Sequence, residues 1–175
     1  MRSLFQIASC SCFSLLIIFS SASAQITPPF VKPPEVISTK DLKAMLDARE
    51  IAAKKAQVEG KKPEEPNFVV VDVRSDDEIN VSIIPGAITK AQYEKDKDKY
   101  RGKMVIPYCL VGGRSATFSN ELVKSGVLVK NYKGSIVDWV SNELPLVTLK
   151  GEPTNKVFIN PERFKVPAKY EAVGK

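Results

Sequence analysis

No histidine occurs anywhere in the 175 residues. Its absence excludes Ser-His-Asp and Cys-His catalysis, histidine-ligated metal centres and the H-x-E deaminases. A nucleophile in this chain must therefore be activated by something other than an imidazole. Cysteine is almost as scarce, with only Cys10, Cys12 and Cys109. There is no Walker sequence and no internal repeat, and the acidic run Asp76-Asp77-Glu78 lacks partners at metal-ligand spacing, so no cofactor and no metal are expected. The net charge of +6 is scattered, with clusters at Lys54-Lys55, Lys61-Lys62 and Lys95 to Lys99. No aromatic residues alternate with a basic stripe, so a nucleic-acid partner is not expected either. A solvated basic surface with a general attraction for anions is what this pattern predicts.

The first segment reads as an address. Arg2 is followed by an apolar stretch, densest from Phe13 to Phe19, which ends in Ala22-Ser23-Ala24 before Gln25. This is a secretory signal peptide with an A-x-A cleavage pattern over residues 1–24. An uncleaved anchor needs about 20 apolar residues, and serines and cysteines interrupt this run. The mature chain is thus expected to be exported, periplasmic or secreted, with no membrane association after cleavage. Cleavage removes Cys10, Cys12 and Arg2, leaving 25 basic residues against 20 acidic ones and Cys109 as the single thiol. One thiol closes no internal disulfide and builds no thiolate zinc site. It is either a buried apolar filler or a reactive group.

Residues 25–35 are proline-rich and predict an extended linker, followed by a domain at 36–149 and a tail at 150–175. Ser38 and Thr39 offer caps for a helix from Thr39 to Ala56, and residues 60–67 form a polar loop. Phe68 to Val73 is a continuous apolar run, the pattern of a strand buried on both faces. Met104 to Tyr108 is a second run, which Pro107 is expected to end because it donates no ladder hydrogen bond. A helix from Ser115 to Lys124, a strand at Val127 to Val129 and a helix from Ser135 to Asn142 complete the alternation. Strands alternating with helices mean an α/β fold with a parallel sheet covered on both sides. The segment from Gly151 onward has prolines at 153, 161 and 167 and predicts a tail either lying over the domain or partly disordered.

The chemistry concentrates in Cys109-Leu110-Val111-Gly112-Gly113-Arg114-Ser115, between a buried strand and a helix. In α/β sheets, ligands sit beyond the carboxyl ends of the strands. A tight loop leading into a helix turns backbone N–H groups inward, and the helix start carries about half a positive charge. Such a cradle lowers a thiol pKa from about 8.5 into a range of roughly 3.5 to 7.5. The glycines permit close backbone approach and positive φ, and Arg114 adds a cation. The alternative is a structural cysteine before an ordinary turn; the loop position and doubled glycine favour the reactive reading.

Four segments in order resemble the rhodanese (sulfurtransferase) family over about Val36 to Val147. Asp72 to Glu78 resembles its D-V-R-x-x-x-E segment, Ile84-Pro85-Gly86-Ala87 its I-P-G-A, and Cys109 to Ser115 its C-x-x-G-x-R-S loop. Tyr132 to Trp139 is similar to its later G-G-I-x-x-W region, with Lys133 in place of the first glycine. The resemblance implies a five-stranded parallel sheet flanked by helices. It also implies that Cys109 takes a sulfane sulfur from a donor such as thiosulfate or polysulfide, and passes it as a persulfide to a thiol, cyanide or a protein acceptor. Asp72 and Arg74 are expected to pin the sheet end, Arg74 pairing with Glu78. Ser82-Ile83 stand where the family has Gly-His, and Leu110 and Val111 leave Arg114 as the loop's one cation. Two further readings remain: a rhodanese-like binding or sulfur-sensing module without catalysis, and the chemistry of phosphatase and arsenate-reductase relatives. The latter need five residues between Cys and Arg; here four separate Cys109 from Arg114.

Overall fold

Val70 and Val71 on one strand and Val105 and Ile106 on the next are fully buried, and these two strands form the centre of the protein. The structure is a computed structural model describing residues 32–174; the expected signal peptide and linker residues 25–31 lie outside the described residues. Strand β1 (Glu35–Val36), which takes the last residue of the expected linker, leads into helix α1 (Thr39–Val58). Ser38 caps α1, its hydroxyl oxygen accepting from the Asp41 N–H at 3.1 Å. There follow β2 (Phe68–Asp72), α2 (Asp76–Val81), β3 (Ile88–Thr89), α3 (Lys90–Lys95), β4 (Met104–Tyr108), α4 (Gly113–Lys124), β5 (Lys130–Asn131) and α5 (Ser135–Ser141).

The strands lie in the order β3-β2-β4, with β5-β1 as a second parallel pair. A parallel bridge between Val105 and Val129 joins the two groups, with the Val105 N–H donating to the Leu128 carbonyl at 2.9 Å and the Tyr132 N–H to the Pro107 carbonyl at 3.0 Å. The five expected parallel strands are thus present as three plus two, with a sparse seam between β4 and β5.

Pro107 accounts for that seam. It does not end its strand: β4 continues to Tyr108, and Pro107 pairs with Val71. A residue's nitrogen and carbonyl point to the same side of a strand, and the Pro107 carbonyl faces Tyr132. The missing donor therefore falls on the β5 side, and the β2–β4 ladder is untouched. Strand β5 also begins later than its apolar run predicts, because the Val127 N–H is still engaged with the Leu122 carbonyl at the end of α4.

Alternate residues of the central strands face opposite cores. Phe68, Val70, Ile106 and Tyr108 pack with Leu42 and Leu46 of α1 and with Ile136 and Trp139 of α5. Val69, Val71 and Val105 pack with Tyr93 of α3 and with Phe118 and Leu122 of α4. The helices thereby cover both faces, which is why β2 is buried at all five positions. The C-terminal segment lies over the domain. Its strand β7 (Pro153–Thr154) pairs antiparallel with β6 (Leu146–Val147), and β8 (Lys156–Val157) pairs with β9 (Glu171–Ala172). Val157, Ile159 and Tyr170 are buried in the α1–α5 core.

Candidate active site

Cys109 stands one residue past the carboxyl end of the central strand β4, at the start of the turn into α4. Its backbone N–H donates to the Ser135 hydroxyl at 3.0 Å, and its carbonyl accepts from the Ile136 N–H at 3.1 Å. The Leu110 carbonyl accepts from the Val137 N–H at 3.2 Å. The first turn of α5 therefore clamps the loop from outside, while the sulfur is held from inside. The Gly112 N–H points at Cys109 Sγ, 3.1 Å away.

Cys109 is 1 % exposed. Burial pushes the thiol up, but the backbone N–H groups of Ser115, Gly112 and Val111 outweigh it and leave the thiol below its ordinary value. Of these donors the Gly112 N–H is fixed by the turn and points at the sulfur, the arrangement that stabilises an anion without a base. Gly112 has φ +94°, and a Cβ there would collide with the Lys133 carbonyl oxygen. Only glycine both adopts this turn and lets the 132–135 segment close against the loop.

The remaining loop residues divide by direction. Ser115 is buried and its hydroxyl donates to the Gly112 carbonyl at 3.1 Å, holding the turn closed. Leu110 packs against the α1–α5 core, whereas Val111 is 47 % exposed. Gly113 is exposed and begins α4. Arg114 does not serve the loop as a free cation. Its Nη1 and Nη2 donate to the two carboxylate oxygens of Glu78 at 2.6 and 2.8 Å. Burial pushes the Glu78 carboxyl up, but Arg114 and the Ser75 N–H and hydroxyl prevail and hold it at about 2. The charge expected at the loop is therefore already neutralised by a bidentate pair.

Arg74 pairs with Asp72, contrary to the expected partner Glu78. Arg74 Nε donates to Asp72 Oδ1 at 2.9 Å and Nη2 to Oδ2 at 2.7 Å, and Nη2 also donates to the Ser82 carbonyl at 2.6 Å. Both side chains are completely buried. Together they tie the carboxyl end of β2 to the turn before Ile84, whose N–H donates to the Tyr108 hydroxyl at 3.0 Å. Asp72→Asn is expected to cost about 3–5 kcal/mol, because it leaves a buried guanidinium without its counter-charge. Urea denaturation checks this; a midpoint equal to wild type contradicts it.

Ser135 is the site residue that the motifs did not single out. Its hydroxyl accepts from the Cys109 N–H, donates to the Tyr132 carbonyl at 3.0 Å and lies 3.9 Å from Sγ. Its one proton is committed to the carbonyl, so it positions the cysteine backbone and leaves the sulfur to the amides. Ser135 also has φ +57°, a conformation that non-glycine residues rarely adopt and that costs on the order of 1–3 kcal/mol. The sequence signal for it was its place directly after Gly134 in the segment resembling the later family motif.

A solved structure similar to this chain shares its fold. A Bacillus halodurans protein matches with a TM-score of 0.51 at 21% identity, covering 74% of this chain and 88% of that one. A thiosulfate sulfurtransferase from Pseudomonas aeruginosa matches with a TM-score of 0.48 at 18% identity, covering 69% of this chain and 21% of that one. The family model for the rhodanese-like domain matches residues 38–142, a span running from the α1 cap through the Cys109 loop to the end of α5. With the cysteine loop, the I-P-G-A turn and the closing α5 segment inside that match, the chain belongs to the rhodanese-like domain family.

Proposed function

We propose that this chain is a sulfurtransferase that carries sulfane sulfur on Cys109. The observation that supports it is the Gly112 N–H aimed at Sγ from 3.1 Å, in a loop that opens into α4 and in a chain without histidine. The Cys109 thiolate attacks the outer sulfur of thiosulfate; the S–S bond of the donor breaks and sulfite leaves with the bond pair. The cysteine persulfide so formed is itself an anion, and the same loop holds it. Cyanide or a thiolate then attacks the terminal sulfur and releases the cysteine thiolate, so charge and sulfur balance at each step. No proton has to be moved by a side chain, which is why histidine is dispensable. The expected secretory leader makes the site of action periplasmic or extracellular.

The test is mass spectrometry of the protein after exposure to thiosulfate or polysulfide. The expected result is one added sulfur on Cys109, removed by cyanide with release of thiocyanate. A Cys109 that acquires no sulfur from either donor contradicts the proposal. A second reading, a sulfur-sensing or binding module, draws on the 1 % exposure of Cys109 and the neutralised Arg114. A persulfide that forms but is not turned over by cyanide or thiols favours this reading.

A further inference from the structure

The loop's own cation already holds a carboxylate. Arg114 is engaged by Glu78, and Leu110 and Val111 carry no charge. A sulfane donor is an anion approaching a thiolate, so a positive charge must come from elsewhere if it is to be held. Lys133 lies against the loop: its carbonyl oxygen abuts Gly112, and its Cγ is 3.2 Å from where a Gly112 Cβ would stand. Its side chain is exposed, and it forms no ion pair among the described residues.

A groove of about 540 Å³ opens beside the loop at this point. Its apolar wall is Val36, Ile37, Val111 and Val137, of which Val36 is 62 % and Val111 47 % exposed. Among the described residues Lys133 is its one cation and Asp138 its one anion. The Asp138 carboxylate accepts from the Thr39 hydroxyl, which also meets the Tyr132 hydroxyl at 2.8 Å, so it is turned toward the start of α1. An anion entering the groove thus meets Lys133 and an apolar wall that includes Val111 of the loop.

We propose that Lys133 is the specificity-determining residue for the sulfur donor, capturing its anionic end, while the Val36–Val111 wall takes an apolar body. This rests on the sulfurtransferase reading and deepens it. The chemistry that fits is an organic thiosulfonate, a monoanion with an apolar group, in preference to the dianion thiosulfate. One cation balances one charge, and a second negative charge next to a thiolate and Asp138 is uncompensated. The transfer balances as before: the thiolate attacks the outer sulfur, the donor S–S bond breaks and the organic sulfinate leaves with the bond pair.

The test compares benzenethiosulfonate with thiosulfate as donors, with cyanide as acceptor, in wild type, Lys133→Met, Lys133→Arg and Val36→Ser. Wild type is expected to prefer benzenethiosulfonate in kcat/KM. Lys133→Met is expected to raise the benzenethiosulfonate KM roughly fivefold, the size of one exposed charge contact, with kcat within about twofold. Lys133→Arg restores the KM, and Val36→Ser reduces the preference. Alkylation of Cys109 by neutral iodoacetamide stays unchanged in Lys133→Met, which separates donor capture from an effect on the thiol itself. An unmoved KM, a preference for thiosulfate, or a parallel loss of alkylation each overturns the assignment. A wild-type protein that takes sulfur from neither donor overturns the sulfurtransferase reading as a whole.

Discussion

Cys109→Ser is expected to reduce sulfur transfer below detection while leaving the fold intact. Serine is nearly isosteric, and at this site the Gly112 N–H that now points to Sγ would find an oxygen to donate to. What serine lacks is an accessible anion. A hydroxyl nucleophile depends on a neighbouring base to take its proton, and the chain has no histidine to act as one. Backbone amides can stabilise a charge, but they cannot accept a proton. The replacement also carries a signature in stability. The Cys109 pKa is depressed in the folded state, so its ionisation stabilises the fold fully above the unfolded thiol's value of about 8.5. That contribution is lost as pH falls through the lowered folded value. The stability difference between wild type and Cys109→Ser should therefore grow with pH across that window. Residual thiocyanate production by the serine variant, or a pH-independent difference, contradicts this.

Gly112→Ala is expected to lower kcat/KM by about 10²–10³-fold, the loss seen when one preorganised donor to a developing anion is removed. The substitution meets two obstacles at once. At φ +94° the alanine backbone is strained, and its Cβ runs into the Lys133 carbonyl oxygen. The turn can relieve both only by moving, and the Gly112 N–H moves with it, away from Sγ. Gly113→Ala is the control: it is next in sequence, its φ is not positive and nothing lies within 4 Å of its Cβ position. It is expected to keep activity within about threefold of wild type, a change of under 1 kcal/mol. Steady-state rates with cyanide as acceptor check both; equal losses at 112 and 113 contradict the amide account.

The fold was legible where burial follows from a pattern that one strand or helix carries by itself. Phe68 to Asp72 reads as a two-faced strand because it has no polar alternation, and its observed burial is continuous. The continuation of β4 through Pro107 is not legible, because sequence shows that a donor is missing but not which neighbour it would have faced. The site was legible at Cys109 and Gly112, where one short loop holds both the sulfur and its donor. Partnerships among charges were not. Asp72, Arg74, Glu78 and Arg114 admit more than one pairing, and Arg114 reaches Glu78 across 36 residues of sequence. Ser135 approaches Cys109 only because α5 begins beside the loop, a consequence of topology that no spacing announces.

The pH dependence of Cys109 alkylation tests the central claim most directly. Iodoacetamide is small and uncharged, so its second-order rate constant tracks the thiolate fraction, and digestion with mass spectrometry assigns the label to Cys109. The account predicts a rate that rises with pH to a midpoint below the ordinary thiol value of about 8.5 and levels off above that midpoint. A midpoint at or above that value, or a Cys109 that stays unmodified until the protein unfolds, would show that the loop encloses a protonated structural thiol.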